Sequence, residues 1–226
     1  MMNIKEFCDG RYPVTHIGEK INTKNKVVIL LHGRRQSVED IFNMAEKLGF
    51  SRVSWLLPCA PEKTWYPHGF LRPLNINQPY LDDALSCIDY LIELLSMHGV
   101  ERRNIIIMGF SQGACIGSQY LASFRRKLGG ALLFTGGLFG PEVSLPIDEE
   151  KALLNMPIFI TGSATDSWVP ASRIIETTRY FRSLGAEVKE VVFENRDHLV
   201  SDLEIEMAKK WLSEYLELHT EEKSHV

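Results

Sequence analysis

One short motif constrains this chain more than any other stretch of its sequence. An apolar run at 105–108 stops at Gly109, and Ser111 follows two residues later. Gly113 and a series of small residues then begin a helical pattern. Glycine on both sides of a serine permits the sharp strand-to-helix turn that raises a hydroxyl above the edge of a sheet. An ordinary turn of small residues would show the same pattern, but the surrounding sequence favours a nucleophilic serine.

Strand-like and helical patterns alternate along the chain. Short runs bounded by glycine or proline predict buried strands at 27–31, 53–57, 105–108, 131–135, 157–161 and 188–193, and an edge strand at 12–17. Helical periods begin near Ser37, Pro79, Gln112, Pro170 and Ser201. The alternation predicts an α/β fold, a mostly parallel sheet with helices on both faces, because each crossover between parallel strands places a helix on one face.

Size and charge limit the domain count and the partners. With 226 residues, 45% of them hydrophobic, we expect a single domain over 1–226. Within it, residues 1–20 form an N-terminal segment with the edge strand, and 220–226 form a frayed tail. The net charge of -4 is not the basic excess of nucleic-acid-binding proteins, so we expect small-molecule partners.

The cysteines and apolar runs bear on the cellular compartment. Cys8, Cys59, Cys87 and Cys115 are widely spaced and form no C-x-x-C pair, which predicts reduced thiols without a disulfide framework or a zinc site. The first residues lack the apolar segment of a signal peptide, and no apolar run approaches the roughly 20 residues that cross a bilayer. We therefore expect a cytoplasmic protein without a membrane span.

A serine nucleophile needs partners, and polar residues beyond the carboxyl ends of the strands are the candidates. The serine hydroxyl is activated by a histidine that takes its proton and by an acid that orients the histidine. Three histidines follow Ser111 in the sequence. His198 lies in the predicted loop between the last strand and the last helix, whereas His219 and His225 lie at or beyond the end of that helix. We therefore select His198.

Two aspartates compete for the role of the acid. Asp166 lies five residues beyond the end of the predicted strand 157–161. A residue in the loop after this strand would lie near the serine and the histidine. A role as a turn residue or helix cap is its structural alternative. Asp197 adjoins His198, but the side chains of adjacent residues in an extended loop tend to diverge. The sequence favours Asp166.

The negative oxygen that develops during acyl transfer needs two backbone N–H donors. The N–H of Gln112, directly after the serine, is the first candidate. The loop after strand 27–31 should supply the second, and because Gly33 allows close backbone approach there, we select the N–H of Arg34. The side chains of Arg34 and Arg35 either steer an anionic substrate group or form a solvated pair.

The long irregular stretch 58–79 is a candidate wall of the binding pocket. It contains six proline or glycine residues and the aromatic residues Trp65, Tyr66 and Phe70. Long loops in compact domains are commonly functional or disordered, and aromatic side chains argue against disorder. A loop that merely packs over the sheet is the alternative.

Together these motifs resemble the phospholipase/carboxylesterase group of α/β-hydrolases, which includes the acyl-protein thioesterases. The residues that carry the resemblance are 30–34 (LLHGR), 109–114 (GFSQGA), 162–166, 169–170 and His198, within a span of roughly 26–216. The resemblance implies an esterase or thioesterase with no cofactor, with its triad on Ser111, Asp166 and His198 and its oxyanion donors on Arg34 and Gln112. The chain departs from the family pattern at 35–36 and at 195–197.

The resemblance implies hydrolysis of carboxylic esters or thioesters of small or acyl substrates through an acyl-enzyme. Leu138 and Trp168, with the aromatic residues of 58–79, suggest an aromatic or short-acyl pocket, although any of them could be packed core. Two alternatives are a non-catalytic ligand-binding protein on the same fold and a lysophospholipase that acts on lipid.

Overall fold

A seven-stranded sheet forms the centre of the part of the chain that the structure describes. The structure is a computed structural model, which describes residues 11–50, 52–143 and 151–221. The strands are β1 (Val14–Gly18), β2 (Lys26–Leu31), β3 (Val53–Pro58), β4 (Ile105–Phe110), β5 (Gly130–Phe134), β6 (Pro157–Ser163) and β7 (Glu187–Phe193). Their spatial order is β1-β3-β2-β4-β5-β6-β7. Strand β1 runs antiparallel to β3, and the other neighbouring strands are parallel.

Helices cover both faces of this sheet. They are α1 (Val38–Glu46), α2 (Tyr80–Met97), α3 (Gln112–Phe124), α4 (Ala171–Ser183) and α5 (Asp202–Glu221). Alternate residues of β2 point to opposite faces, so that Ile29 belongs to the core that includes residues of α2, α3 and α4, while Leu30 belongs to the core that includes residues of α1 and α5. The predicted α/β class, with a mostly parallel sheet, is confirmed.

Local sequence signals explain where two helices begin. Ser37 accepts a hydrogen bond from the N–H of Asp40, whose carboxylate in turn accepts from the N–H of Ser37. Ser201 and Glu204 form the same reciprocal arrangement at the start of α5. Each pair satisfies backbone donors that the first helical turn leaves unpaired.

Some predicted boundaries differ from those observed. Strand β5 ends at Phe134 because Thr135 has a positive φ of 55°, which leaves the extended conformation. Strand β6 continues to Ser163, which pairs with Phe193 of β7, so the sheet extends two residues beyond the predicted end at 161. Two residues of the predicted tail, 220 and 221, belong to α5. Residues 222–226 and 1–10, including Cys8, lie outside the described residues.

The long stretch predicted at 58–79 is indeed an irregular connection, with two short 3-10 helices at Pro61–Lys63 and Leu74–Asn77. It joins the end of β3 to α2. In the described part of the chain Cys59, Cys87 and Cys115 are free thiols. Within the same described ranges, no helix has both the length and the apolar character that spanning a bilayer requires.

Candidate active site

The turn between β4 and α3 holds Ser111 in a strained backbone conformation. Its φ of 53° and ψ of -115° lie where residues other than glycine are rare. A Cβ atom on Gly113 would lie 2.0 Å from the carbonyl oxygen of Leu31, and one on Gly109 would lie 2.5 Å from the carbonyl carbon of Gly113. Only glycine therefore lets α3 approach the sheet closely enough to make this turn.

The structure brings the hydroxyl of Ser111, the imidazole of His198 and the carboxylate of Asp166 into one line of hydrogen bonds. Nε2 of His198 lies 2.8 Å from Oγ of Ser111, and Nδ1 lies 2.7 Å from Oδ2 of Asp166. The carboxylate accepts a hydrogen bond from the protonated Nδ1, which leaves the lone pair of Nε2 facing the hydroxyl. In this tautomer the imidazole can take the proton of the serine.

Hydrogen bonds keep the carboxylate of Asp166 ionised in a buried position. Burial by itself raises the pKa of this group, but the N–H of Val169, the imidazole of His198 and the N–H of Trp168 together outweigh it and lower the pKa below its usual value. Oδ1 of Asp166 accepts hydrogen bonds from the N–H of Val169 at 2.9 Å and from the N–H of Trp168 at 2.8 Å. The rival Asp197 is exposed, and among the described residues its carboxylate has no hydrogen-bond partner.

A buried ion pair, which the sequence did not reveal, holds the loop on which His198 lies. Nε of Arg196 lies 3.1 Å from Oε2 of Glu204, and the two side chains are 6% and 0% exposed. The guanidinium also donates to the backbone carbonyls of Asp197, at 2.8 Å, and of Leu199. It thereby ties down the carbonyls on both sides of His198. The capping box indicated a role for Glu204 at the helix start but not this second role.

Among the residues that the structure describes, one backbone N–H group of the loop after β2 has no hydrogen-bond partner. The N–H of Gly33 donates to the side chain of Gln36 at 2.8 Å, and the N–H of Gln36 donates back to the carbonyl of Gly33 at 3.2 Å. The N–H of Arg35 donates to the carbonyl of Lys63 at 2.8 Å. The N–H of Arg34 has no acceptor among the described residues, so it can donate to a ligand.

Gln112 contributes to the same region in two ways. Its N–H is the first of α3 and likewise has no acceptor in the described ranges, at the helix end where the dipole favours negative charge. Its side chain donates to the carbonyl of Tyr66 at 2.8 Å and accepts from the N–H of Trp65 at 3.1 Å. The residue after the serine therefore also fastens the long loop to the site.

The side chain of Arg34 makes contacts with the long loop that the sequence did not predict. Its guanidinium donates to the carbonyls of Pro67 at 3.0 Å, Tyr66 at 3.0 Å and His68 at 3.2 Å. It also lies 5.8 Å from the centre of the Tyr66 ring. Arg34 thus holds the loop in place, and the side chains of Arg34 and Arg35 are both exposed in the lining of the site.

A cavity of about 650 Å³ opens beside Ser111. Three of the predicted pocket residues, Tyr66, Phe70 and Trp168, line it. The hydroxyl of Tyr66 hydrogen-bonds with the thiol of Cys115, which also lines the cavity. Burial raises the pKa of the thiol to about 11 and raises the pKa of the phenol as well, so both groups are uncharged at neutral pH. This part of the wall is neutral.

The prediction that Trp65 and Leu138 line the pocket is corrected by the structure. Trp65 is buried behind the described lining, stacked on Tyr12 at 5.7 Å, and its indole N–H donates to the carbonyl of His32 at 2.8 Å. Leu138 is fully buried, and its backbone is held by the side chains of Thr177 and Arg173. Both residues support the cavity wall without reaching its surface.

This position of Trp65 leads to a prediction about stability. Trp65→Ala should lower the free energy of unfolding by about 3 to 5 kcal/mol, because it removes a buried ring and leaves a cavity. Trp65→Phe should lower it less, since a ring remains although the hydrogen bond to His32 is lost. Urea unfolding of both variants measures the difference. A loss below about 1 kcal/mol for the alanine variant would contradict the assigned role.

Comparison with known proteins agrees with this geometry. The family described as Phospholipase/Carboxylesterase matches residues 13–216. A phospholipase/carboxylesterase from Dyadobacter fermentans, known from a crystal structure, is 32% identical, with a TM-score of 0.82 over 88% of this chain and 95% of that chain. Acyl-protein thioesterase 1 of Debaryomyces hansenii is 31% identical over 126 residues, which are 55% of this chain and 53% of that protein.

A mammalian relative extends the similarity over more of the length. Lysophospholipase-like protein 1 of Mus musculus is 22% identical over 192 residues, which are 80% of each protein. The family match covers every strand of the sheet and each residue of the hydrogen-bonded line from Ser111 to Asp166. The chain therefore belongs to the phospholipase/carboxylesterase family of α/β-hydrolases.

Proposed function

We propose that the protein is a serine hydrolase that cleaves carboxylic esters or thioesters through an acyl-enzyme. The observation that carries this proposal is the continuous line of hydrogen bonds from Ser111 through His198 to Asp166. A protein that only binds a ligand has no need of a strained serine whose hydroxyl faces the free nitrogen of an oriented imidazole. The family membership supports hydrolysis as the class of reaction.

The proposed reaction has two stages, acylation of Ser111 and hydrolysis of the acyl-enzyme, and the same side chains act in both. Nε2 of His198 takes the proton of Ser111 while Oγ attacks the acyl carbon, and ionised Asp166 stabilises the imidazolium. The N–H groups of Arg34 and Gln112 donate to the oxygen that becomes negative. The leaving group then departs with the proton, and water, activated by the same imidazole, releases the acid.

The cavity beside Ser111 favours an uncharged acyl group. The exposed Arg34 and Arg35 belong to its lining, but the buried residues of the lining include Tyr66, Phe70 and Cys115, with its neutral thiol. Phe70 packs edge to face on Phe139 at 6.2 Å, which fixes the ring in the wall. Burial of a charged group against such surfaces is costly, whereas burial of methylene groups is favourable. We therefore expect alkyl or aryl acyl groups.

The proposal is tested with p-nitrophenyl esters and acyl-CoA thioesters of graded acyl length. We expect the protein to hydrolyse at least one of these two substrate classes. We also expect a fluorophosphonate probe to label Ser111 covalently. The site of labelling is read by peptide mass spectrometry. Absence of turnover together with absence of labelling at Ser111 would contradict the proposal.

Trp168 provides a test of the cavity that does not disturb the core, because its side chain is 73% exposed at the cavity rim. Trp168→Ala should lower the ratio of kcat/KM for octanoyl esters over acetyl esters about eightfold. The longer acyl chain would cover about 50 Å² of the ring, which contributes about 1.25 kcal/mol to binding. The melting temperature should stay within a few degrees. Tyr80→Ala removes an exposed aromatic side chain outside the cavity lining and should leave the ratio unchanged. A fall in the ratio for both variants would contradict the assignment.

A further inference from the structure

A second cavity lies on the other side of His198. Its volume is about 340 Å³, and it is an open cavity lined by residues of α1, of the end of β4 and of the loop that carries the imidazole. Gln36, Phe110 and His198 line this cavity as well as the first one. The two spaces therefore meet at the imidazole, about one hydrogen-bond length from the serine hydroxyl.

The wall of the second cavity is mostly apolar. Its remaining lining residues are Ile41, Met44, Leu199, Val200, Asn43 and Lys47. The only ammonium group in this described lining is that of Lys47, which lies 2.7 Å from a carboxylate oxygen of Asp202 at the start of α5. Because that charge already has a partner, the cavity suits an uncharged group better than an anion.

The residues at the border between the two cavities are held in place. The side-chain oxygen of Gln36 accepts the N–H of Gly33 at 2.8 Å. The ring of Phe110 lies 5.2 Å from the ring of His198, and the buried Arg196 holds the loop on both sides of the imidazole. A substrate that reaches Ser111 thus finds two separate spaces that diverge from fixed border residues.

We propose that the second cavity binds the leaving group of the substrate, an uncharged alkyl or aryl alcohol or thiol, while the first cavity binds the acyl group. This inference rests on the proposed function. In acylation a bond forms between Oγ of Ser111 and the acyl carbon, and the bond from that carbon to the leaving oxygen or sulfur breaks. The proton of Oγ passes to Nε2 of His198 and then to the leaving atom, which departs as a neutral alcohol or thiol with its bonding electron pair.

The path of this proton determines where the leaving group begins. The leaving atom must lie within hydrogen-bond reach of Nε2 of His198 when it accepts the proton. The acyl oxygen points toward the N–H groups of Arg34 and Gln112 at the first cavity. The alkyl or aryl part of the leaving group extends from the leaving atom beside the imidazole, and the second cavity lies next to this atom. The apolar side chain of Met44 is part of the wall of this cavity.

Two series of esters separate the cavities. One series joins acetate to straight-chain alcohols from ethanol to hexanol, and the other joins ethanol to acids from acetate to octanoate. Because kcat/KM covers all steps through acylation, it responds to the leaving group as well as to the acyl group. Met44→Trp fills the second cavity, and we expect it to lower the ratio of kcat/KM for hexyl acetate over ethyl acetate roughly tenfold. The ratio of ethyl octanoate over ethyl acetate should change less than about twofold.

Two further variants separate filling of the second cavity from a general effect of tryptophan on α1. Glu46→Trp places the same ring on an exposed position of α1 that lines neither cavity, and both ratios should match those of the wild type. Asn43→Trp adds the ring at an exposed position of the second cavity and should lower the alcohol ratio in the same direction as Met44→Trp. Circular dichroism and thermal melts establish that each variant is folded.

The outcomes distinguish this inference from the proposed function. A selective fall in the alcohol ratio supports the leaving-group site. An equal fall in both ratios, a selective fall in the acyl ratio, or unchanged ratios in folded variants overturns it, while labelling of Ser111 and ester turnover still support the hydrolase. If the wild type neither turns over an ester nor is labelled at Ser111, the proposed function and the leaving-group site are both overturned.

Discussion

Ser111→Ala is expected to lower kcat for ester hydrolysis by a factor on the order of 10⁴ to 10⁶. In the proposed reaction the substitution removes the atom that forms the acyl-enzyme, and the remaining N–H donors can no longer assist a covalent step. Alanine keeps a small side chain at the turn, so the fold should persist. Steady-state kinetics with p-nitrophenyl acetate, together with a thermal melt, measure the effect.

The control for this prediction lies in the helix that follows the serine. Ser123 of α3 is exposed and lies outside the lining of the cavity, so Ser123→Ala should retain the rate of the wild type. A Ser111→Ala variant that is folded and hydrolyses the ester within tenfold of the wild type would show that another group is the nucleophile.

Asp166→Asn should lower kcat by about 10⁴, the second largest effect that we expect. In the wild type the carboxylate accepts a hydrogen bond from Nδ1 of His198, with 2.7 Å between Nδ1 and Oδ2. The amide of asparagine can donate to Nδ1 instead, which moves the imidazole proton to Nε2 and leaves no lone pair for the serine hydroxyl. The rate of the chemical step should fall although the geometry is nearly unchanged.

Asp197→Asn is the matched control, because this aspartate adjoins His198 in sequence but is exposed. We expect its kcat to remain within a few-fold of the wild-type value. Stopped-flow measurement of acylation for both variants separates the chemical step from product release. A large loss for Asp197→Asn with a small loss for Asp166→Asn would transfer the role of the acid to Asp197.

Strand ends at one edge of the sheet bring distant parts of the chain into one site. His198 is 87 residues from Ser111 and 32 residues from Asp166 in sequence. The serine follows β4, the aspartate follows β6, and the histidine follows β7, all of which are parallel. Their carboxyl ends share an edge, which is where ligands bind in sheets of this kind.

Features that depend on neighbouring residues could be predicted from the sequence alone. Runs of apolar residues predict the strands because a strand covered on both faces needs apolar side chains throughout. The start of α1 follows from Ser37 and Asp40, whose side chains satisfy local backbone donors. The turn at Ser111 can be predicted because Gly109 and Gly113 each lie two residues from it. The confirmed fold class rests on these local signals.

Roles that depend on contacts between different elements could be assigned only from the folded structure. Trp65 and Tyr66 are neighbours in an irregular loop without a period, so no pattern shows that one ring supports the wall while the other lines it. The hold of Arg34 on the loop depends on three carbonyls more than 30 residues away. The pairing of Arg196 with Glu204 depends on how α5 packs behind the loop. Sequence patterns do not show such contacts, because the partners of these groups come from other elements, and the cost of burying a polar group such as Arg196 is offset only where the fold supplies a partner.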